Sequence, residues 1–330
     1  MRAAIDAGAG AVVAKSINES EAAKRQLEVA DYVLLDDDWR PIAWDAQAPR
    51  GASLLCRSGL VQEPFDRWLA TLAEVDRDAR ASDCVLVASL ILADLEETVR
   101  MARAVEQAGL RWLEVNIGAP HGGEATPGAI VVEKDAERVA SITRRLRGAV
   151  SLPLSIKLTG ETEHLLELVG AARDGGADAV VIAGRFLGFL PDLATRKPVL
   201  GTFGAIGGGW ALPLTLRWVA KARQRFGPEL ALIGTNGARG GEDVARFLLS
   251  GARGVEMGSI VMIEGYGAIQ RSIRELQAFA EREGLASIEE VIGAAADAAR
   301  SYAGAPASGM GARRWQVVAG RQPASGSHAS

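Results

Sequence analysis

Seven short apolar runs punctuate the chain, and amphipathic stretches separate most of them. The runs are Ala11–Ser16, Val85–Ile91, Trp112–Ile117, Leu154–Leu158, Ala179–Ala183, Leu230–Gly234 and Val255–Gly258. Their length and near-continuous apolar character predict strands of a parallel sheet covered on both faces. Between them, helical periodicity predicts Leu95–Ala108, Asp135–Leu146, Glu163–Arg173, Leu214–Arg225 and Glu242–Leu249. Four helix exits share one punctuation: Ala7-Gly-Ala-Gly10, Gln107-Ala-Gly109, Gly175-Gly-Ala-Asp178 and Ser250-Gly-Ala252. Glycine just past a helix, followed by an apolar run, is the second half of a βαβ unit. The repeat therefore predicts an α/β fold, a (β/α)8 TIM barrel over residues 1–302.

A closed barrel of this type needs eight strands, and the pattern supplies seven. The chain opens on a predicted helix, Arg2–Ala7, so the first strand is expected to precede Met1. A shortened start is the favoured reading, with closure by something outside the chain as the alternative. Asp31–Ser58 holds two strand-like runs around Asp36-Asp-Asp-Trp-Arg-Pro41 and predicts a hairpin excursion over the barrel mouth. The pattern at Ile269–Glu283 and a helix after Ser287 should pack on the exterior, and Ala303–Ser330 reads as a mobile tail.

Composition narrows the class. A 330-residue chain with 48% hydrophobic and 24% charged residues can bury a large core. A net charge of −4 gives no support to nucleic-acid binding. No apolar run reaches the ~18 residues of a membrane span, and Asp6 interrupts the N-terminal apolar stretch, so no secretory signal is read. The cytoplasm is the expected compartment. Two cysteines and three histidines offer neither a disulfide framework nor a metal-spaced cluster, so no metal is expected.

The candidate chemistry lies where strands end. Leu230–Ser259 runs from an apolar strand into Gly234-Thr-Asn-Gly237, through a helix, to a second strand ending in Gly258-Ser259. In an eight-stranded α/β barrel, the loops after the last two strands are where a phosphate is commonly held. Five further segments stand in a recognisable order with this one. They are Gly10-Ala-Val-Val-Ala-Lys-Ser16, Leu113-Glu-Val-Asn-Ile-Gly-Ala-Pro-His-Gly122, Leu154-Ser-Ile-Lys-Leu158, Phe203-Gly-Ala-Ile-Gly-Gly-Gly-Trp-Ala-Leu-Pro213 and Glu264-Gly-Tyr-Gly267. On these the chain, from about Ala7 to Ile292, resembles the flavin-dependent dihydroorotate dehydrogenase family, including the related domain of dihydropyrimidine dehydrogenases.

The resemblance implies FMN. It places Lys15 near the flavin pyrimidine ring, where a cation stabilises negative charge on the reduced isoalloxazine. It places Lys157 at the ribityl chain and ring edge, and Gly207 and Gly208 where backbone closely approaches the cofactor. Thr235, Asn236, Gly237, Gly258 and Ser259 fall on its phosphate site. The family usually has glycine where Asn236 stands, and asparagine tolerates the same left-handed φ. A lone lysine closing a strand is usually a solvated rim charge, and the glycine turns alone suit any phosphate-binding barrel; the two together favour the cofactor.

The resemblance also shows what is missing. The family splits a ring C–H bond between a base, cysteine or serine, and flavin N5; here Ala119 occupies the base position and has no titratable proton. Of the orotate-reading asparagines Asn116 remains, while His121, Cys56 and Gly184 replace others, so discrimination for orotate is reduced. His121 is the best available acid or base, or else a substrate-orienting residue. Cys56 and Ser58 lie on the segment that aligns with a substrate contact, where Cys56 is either a thiol acid or a small buried apolar residue. Glu124 is a more distant candidate. Arg185 follows a strand at the mouth and either forks onto a substrate carboxylate or points outward.

The expectation is therefore an FMN-dependent oxidoreductase acting on a small cyclic or carboxylated substrate, and not ordinary dihydroorotate oxidation. Lys15 and Asn116 join His121 and Cys56 as its candidate catalytic groups, and Asn116 also touches the cofactor. No cysteine cluster marks an iron–sulfur domain, so an electron-transfer protein, where one is required, is separate; a homo-oligomer is expected. Three alternatives stand beside it: a dihydropyrimidine dehydrogenase-like activity, a non-catalytic FMN-binding subunit, and an FMN-free phosphate-binding lyase or isomerase.

Overall fold

In a computed structural model, residues 1–45, 48–119 and 129–306 are described. Helix α1 (Arg2–Asp6) leads into strand β1 (Ala11–Val13) and helix α2 (Glu21–Gln26). Strands β2 (Asp31–Leu35), β3 (Pro41–Ile42) and β4 (Ser53–Arg57) follow, then helix α3 (Phe65–Ala81). Strand and helix then alternate through β5 (Val85–Ile91), α4 (Leu95–Gln107), β6 (Leu113–Asn116), α5 (Ala136–Arg147), β7 (Leu154–Lys157), α6 (Leu165–Asp174) and β8 (Ala179–Ile182). After β9 (Phe186–Gly188) and β10 (Gly204–Gly207) come α7 (Leu212–Phe226), β11 (Ala231–Thr235), α8 (Gly241–Leu249), β12 (Gly254–Glu256), α9 (Ser259–Glu264), α10 (Gly267–Arg282) and α11 (Ala294–Ala298).

All seven strands read from the sequence form one curled parallel sheet, in the order β1-β5-β6-β7-β8-β11-β12. Its outer face carries Leu113, Val115, Leu154 and Ile156, fully buried beneath the helices. The four glycine exits behave alike: Gly8, Gly109, Gly176 and Gly251 all have φ between 78° and 109°. In each, the next residue's N–H reaches back to close the last turn, as Ala252 does to the Phe247 carbonyl at 3.0 Å. Asp94 and Asp135 cap α4 and α5 by accepting the N–H groups of Glu97 and Arg138, each worth ~1 kcal/mol.

In the excursion, β2 and β3 pair as an antiparallel hairpin around Asp36–Arg40. Residues 31–58 add a third strand, β4, and the three join β10 and β9 in a five-stranded antiparallel sheet, order β3-β2-β4-β10-β9. Cys56 pairs with Ala205 and Leu54 with Gly207, so the glycine-rich segment is itself a strand. Gly208 has a packing reason beyond any cofactor: a Cβ there would stand 2.9 Å from Ser53 Oγ. Beyond the contact-defined body, Met1–Asp297, Ser301 caps a short turn over Tyr302–Gly304. Most of the expected tail lies outside the described residues.

Gly118 fixes how the loop after β6 meets β7. A Cβ at Gly118 would run into the Thr159 nitrogen and the Leu158 carbonyl, both backbone. Gly118→Ala is expected to cost about 3 kcal/mol, the upper range for overpacking, read as a lowered urea midpoint with an unchanged m-value.

Candidate functional site at the carboxyl ends of the strands

Strands β11 and β12 lie side by side, with Thr235 opposite Glu256. The β11 loop turns on Asn236 (φ 71°) and Gly237 (φ 114°), both left-handed. At Gly237 glycine is required twice, because a Cβ would also press on the Leu212 backbone at 2.6 Å. Gly258 faces open space, with nothing within 4 Å of where its Cβ would be. A Cβ placed on Gly207 would lie 2.9 Å from Asn236 Oδ1, 3.5 Å from Ser259 Oγ and 3.7 Å from Arg185 Cγ. Four loops distant in sequence thus converge on one point. Asn236 Nδ2 is buried there without a hydrogen-bond partner among the described residues, and an unpaired buried donor calls for a ligand or water.

Lys157 stands at the end of β7 and ion-pairs with Glu256, a contact across the sheet interior from β12. Glu114 of β6 lies 3.7 Å from the same ammonium and is itself 2% exposed. Burial lowers the pKa of Lys157, but the two carboxylates outweigh it and push it up to about 12. For Glu114 burial dominates: assisted by Glu256, and against Lys157, it pushes the carboxyl up to about 8. Burial would raise Glu256 too, yet Lys157 holds it below the usual carboxylate range. Neither glutamate is singled out by motif reading. The signal was a charged residue at an alternate position of an apolar strand, Leu-Glu-Val-Asn and Gly-Val-Glu-Met, which must be paired once buried.

A second cluster joins the barrel to the five-stranded sheet. Arg185 donates from Nη1 to Cys56 Sγ at 2.6 Å and from Nη2 to Ser58 Oγ at 2.9 Å. Lys15 stands nearby at the mouth, its carbonyl held by Trp68 Nε1 at 3.1 Å. Burial lowers the Lys15 pKa and the Arg185 charge lowers it further. Burial pushes the Cys56 thiol up, with Arg185 and Lys15 pulling against it, so it stays a thiol at neutral pH. Tyr32 sits directly across from Cys56, between β2 and β4, and burial raises its phenol likewise. Among the described residues no carboxylate pairs with Lys15 or Arg185.

At the base position, Ala119 is 4% exposed and packs with Ala23, Leu60, Ile91, Ala129 and Ile130. Asn116 uses Oδ1 to accept the Gly118 N–H at 3.0 Å, holding its own loop. His121 and Glu124 lie outside the described residues.

The fold and these positions define a barrel with an unpartnered buried donor at its rim and a cationic mouth, and the comparisons give its family. The profile of the dihydroorotate dehydrogenase family matches residues 46–280. The chain is 30% identical over 214 residues to the catalytic subunit of the NAD(+)-type dihydroorotate dehydrogenase B of Methanothermobacter thermautotrophicus, covering 64% of this chain and 69% of that one. It is 34% identical over 228 residues to the corresponding Methanopyrus kandleri subunit, covering 68% and 70%. The crystal structure of the Eimeria tenella DHODH in complex with ferulenol shares the fold at a TM-score of 0.67 and 16% identity, over 88% of this chain and 80% of that one. The chain belongs to the dihydroorotate dehydrogenase family of FMN-dependent oxidoreductases.

The residues present fit that cofactor. The unpartnered Asn236 donor, the open space at Gly258 and the hydroxyl of Ser259 meet the needs of a phosphate, and Lys157 is a cation fixed at the end of β7 by its pair with Glu256. Asn236→Asp, which places a charge at this rim, is expected to raise the FMN Kd at least about tenfold. Asn236→Gly, compatible with the left-handed φ, should leave it near wild type. Quenching of flavin fluorescence during titration measures both.

Proposed function

We propose that this protein transfers hydride between FMN and a carbon of a small substrate bearing a carboxylate, and that dihydroorotate is not its ordinary substrate. The observation that carries the reading is the Arg185 guanidinium at Cys56 and Ser58, beside Lys15, with no carboxylate partner among the described residues. A guanidinium has five N–H donors, and two are used here. The remaining edge, with the Lys15 ammonium, suits an anion.

Bound FMN supplies hydride acceptance and donation at N5. The chain's residues do the rest. Asn236, Gly237, Gly258 and Ser259 would hold the phosphate, with Thr235 shaping the turn, and Gly207 and Gly208 would let backbone run close to the cofactor. Lys15 and Lys157 would face the ring, and Asn116 would orient substrate from the loop it braces. Proton exchange is assigned to His121, because Ala119 offers no proton and the Cys56 sulfur is bound to Arg185. The curated relatives support an oxidoreductase. Among the described residues no helix is long and apolar enough to cross a membrane. A cytoplasmic location, a homo-oligomer and a separate electron-transfer protein are part of this proposal.

The test is anaerobic mixing of the yellow protein with dihydroorotate, dihydropyrimidines and saturated carboxylates, following the flavin band near ~450 nm. Bleaching by a carboxylate but not by its carboxamide is expected, with dihydroorotate inert. Fast bleaching by dihydroorotate would overturn the reading. With the active carboxylate, Arg185→Ala should raise the half-saturating concentration about thirtyfold, equivalent to ~2 kcal/mol for a charged hydrogen bond. His121→Asn should slow bleaching by about a hundredfold or more while FMN affinity stays unchanged; equal rates would remove His121 from the chemistry.

A further inference from the structure

Glu114 has no part in the roles assigned above, yet it is the most deeply buried charge-bearing group beside them, at 2% exposed. It points into the barrel from β6, where Ser89 of β5 and Ser155 of β7 are its register partners. One ammonium, Lys157, faces two carboxyl groups, and burying an uncompensated second negative charge is costly. Position decides which carboxyl keeps the charge. Lys157 bonds directly to Glu256, while Glu114 stands off at 3.7 Å. The side chains of Lys157 and Glu256 are 19% and 20% exposed, whereas that of Glu114 is 3% exposed and sits behind them. Two carboxyl groups thus share one ammonium in the barrel interior, and burial together with the neighbouring Glu256 favours the neutral form of Glu114.

On its other side Glu114 meets two hydroxyls. Ser89 Oγ donates to Glu114 Oε1 at 2.9 Å, and Ser16 Oγ lies 2.8 Å from Ser89 Oγ. Ser89 is fully buried, and Ser16, half-buried, is the residue after Lys15 at the mouth. We propose that Glu114 is a proton store for the site, a neutral carboxylic acid behind the Lys157–Glu256 pair that is connected to the barrel mouth through the hydroxyls of Ser89 and Ser16. Refilling an emptied Glu114 balances along this line. A proton arriving at Ser16 Oγ displaces that hydroxyl's own proton onto Ser89, and Ser89 passes its own to Glu114 Oε1. Each serine ends neutral, and only the carboxyl changes charge.

Glu114 is a positioning residue, acting through Lys157 and the serines. The charged groups bearing on the cluster are Lys157 from β7, Glu256 from β12 and Arg185 after β8. Lys157, pushed up to about 12, stays a cation throughout the titration of Glu114 at about 8. The inference does not depend on which substrate is used.

Infrared spectroscopy of the full chain with bound FMN reads the proton directly. A carbonyl band of a protonated carboxyl group is expected at neutral pH, lost with a midpoint near 8, and absent in Glu114→Gln. No such band, or its survival in Glu114→Gln, overturns the proposal. Should Glu114→Gln not fold, Glu256→Gln carries the test. Glu114 then becomes the sole counter-ion of Lys157, and the midpoint should fall by about two pH units or more; an unmoved midpoint overturns the assignment. The connection has its own readout. On transfer to D2O, the band should exchange at least about tenfold more slowly in Ser89→Ala than in wild type if the hydroxyls are the path, and equal rates overturn it. Stability follows with a definite sign. The folded pKa of about 8 exceeds the unfolded value, so the contribution is full below about pH 4.3 and is lost as pH rises through 8. Glu114→Gln should flatten that decline, and an unchanged slope counts against a proton held there.

Discussion

Lys157 and Glu256 are joined across the sheet interior, and much of the site follows from where that pair must sit. Charges held inside a barrel have no water to fall back on, so geometry has to supply what solvent would. Lys157 comes from β7, Glu256 from β12 and Glu114 from β6, so three strands must keep their register for any one charge to be compensated. A slip of one residue in β6 would turn Glu114 and Asn116 outward, among the helices, and bring Leu113 and Val115 in. The same register places Asn116 beside Lys157 and Gly258 beyond Glu256. The polar interior thereby disciplines the rim above it.

The barrel was legible in the sequence because its signals are local. Each strand is one short apolar run, and each exit glycine reports its left-handed turn without reference to distant residues. The five-stranded sheet was not legible in this way. Its central contact joins β4 to β10, some one hundred and fifty residues apart, and β10 is written in glycines that read as a cofactor turn rather than as a strand. Glycine is weak evidence for a strand, since it brings no side chain to pack. Asp31–Ser58 carries its own strand pattern, while its partner strand lies in a glycine-rich motif that also suits a cofactor turn.

The candidate site divides along the same line. The left-handed turn at Asn236 and Gly237 was readable, because the need for glycine or asparagine at such φ is a property of single residues. Arg185 was visible as a rim charge, but whether it turned inward depended on Cys56 and Ser58, which the fold alone brings within reach. Glu114 and Glu256 passed unnoticed because a charged residue in a strand usually marks a solvated face. Ala119 shows the opposite case. The sequence gives a missing proton donor, and the structure adds that the position belongs to a small apolar cluster, where a thiol would be desolvated and hard to ionise.

The Arg185 contact has one more consequence. Its backbone follows the barrel strand β8, and its guanidinium rests on Cys56 of the other sheet and on Ser58 just past the end of β4. An anion taken by the free edge of that guanidinium would enter a bridge that already exists and become its third member. It would act as a rivet between two sheets as much as a substrate in a pocket. Occupancy would then be felt as mechanical cohesion of the whole mouth, since whatever binds only the assembled form must also hold it together.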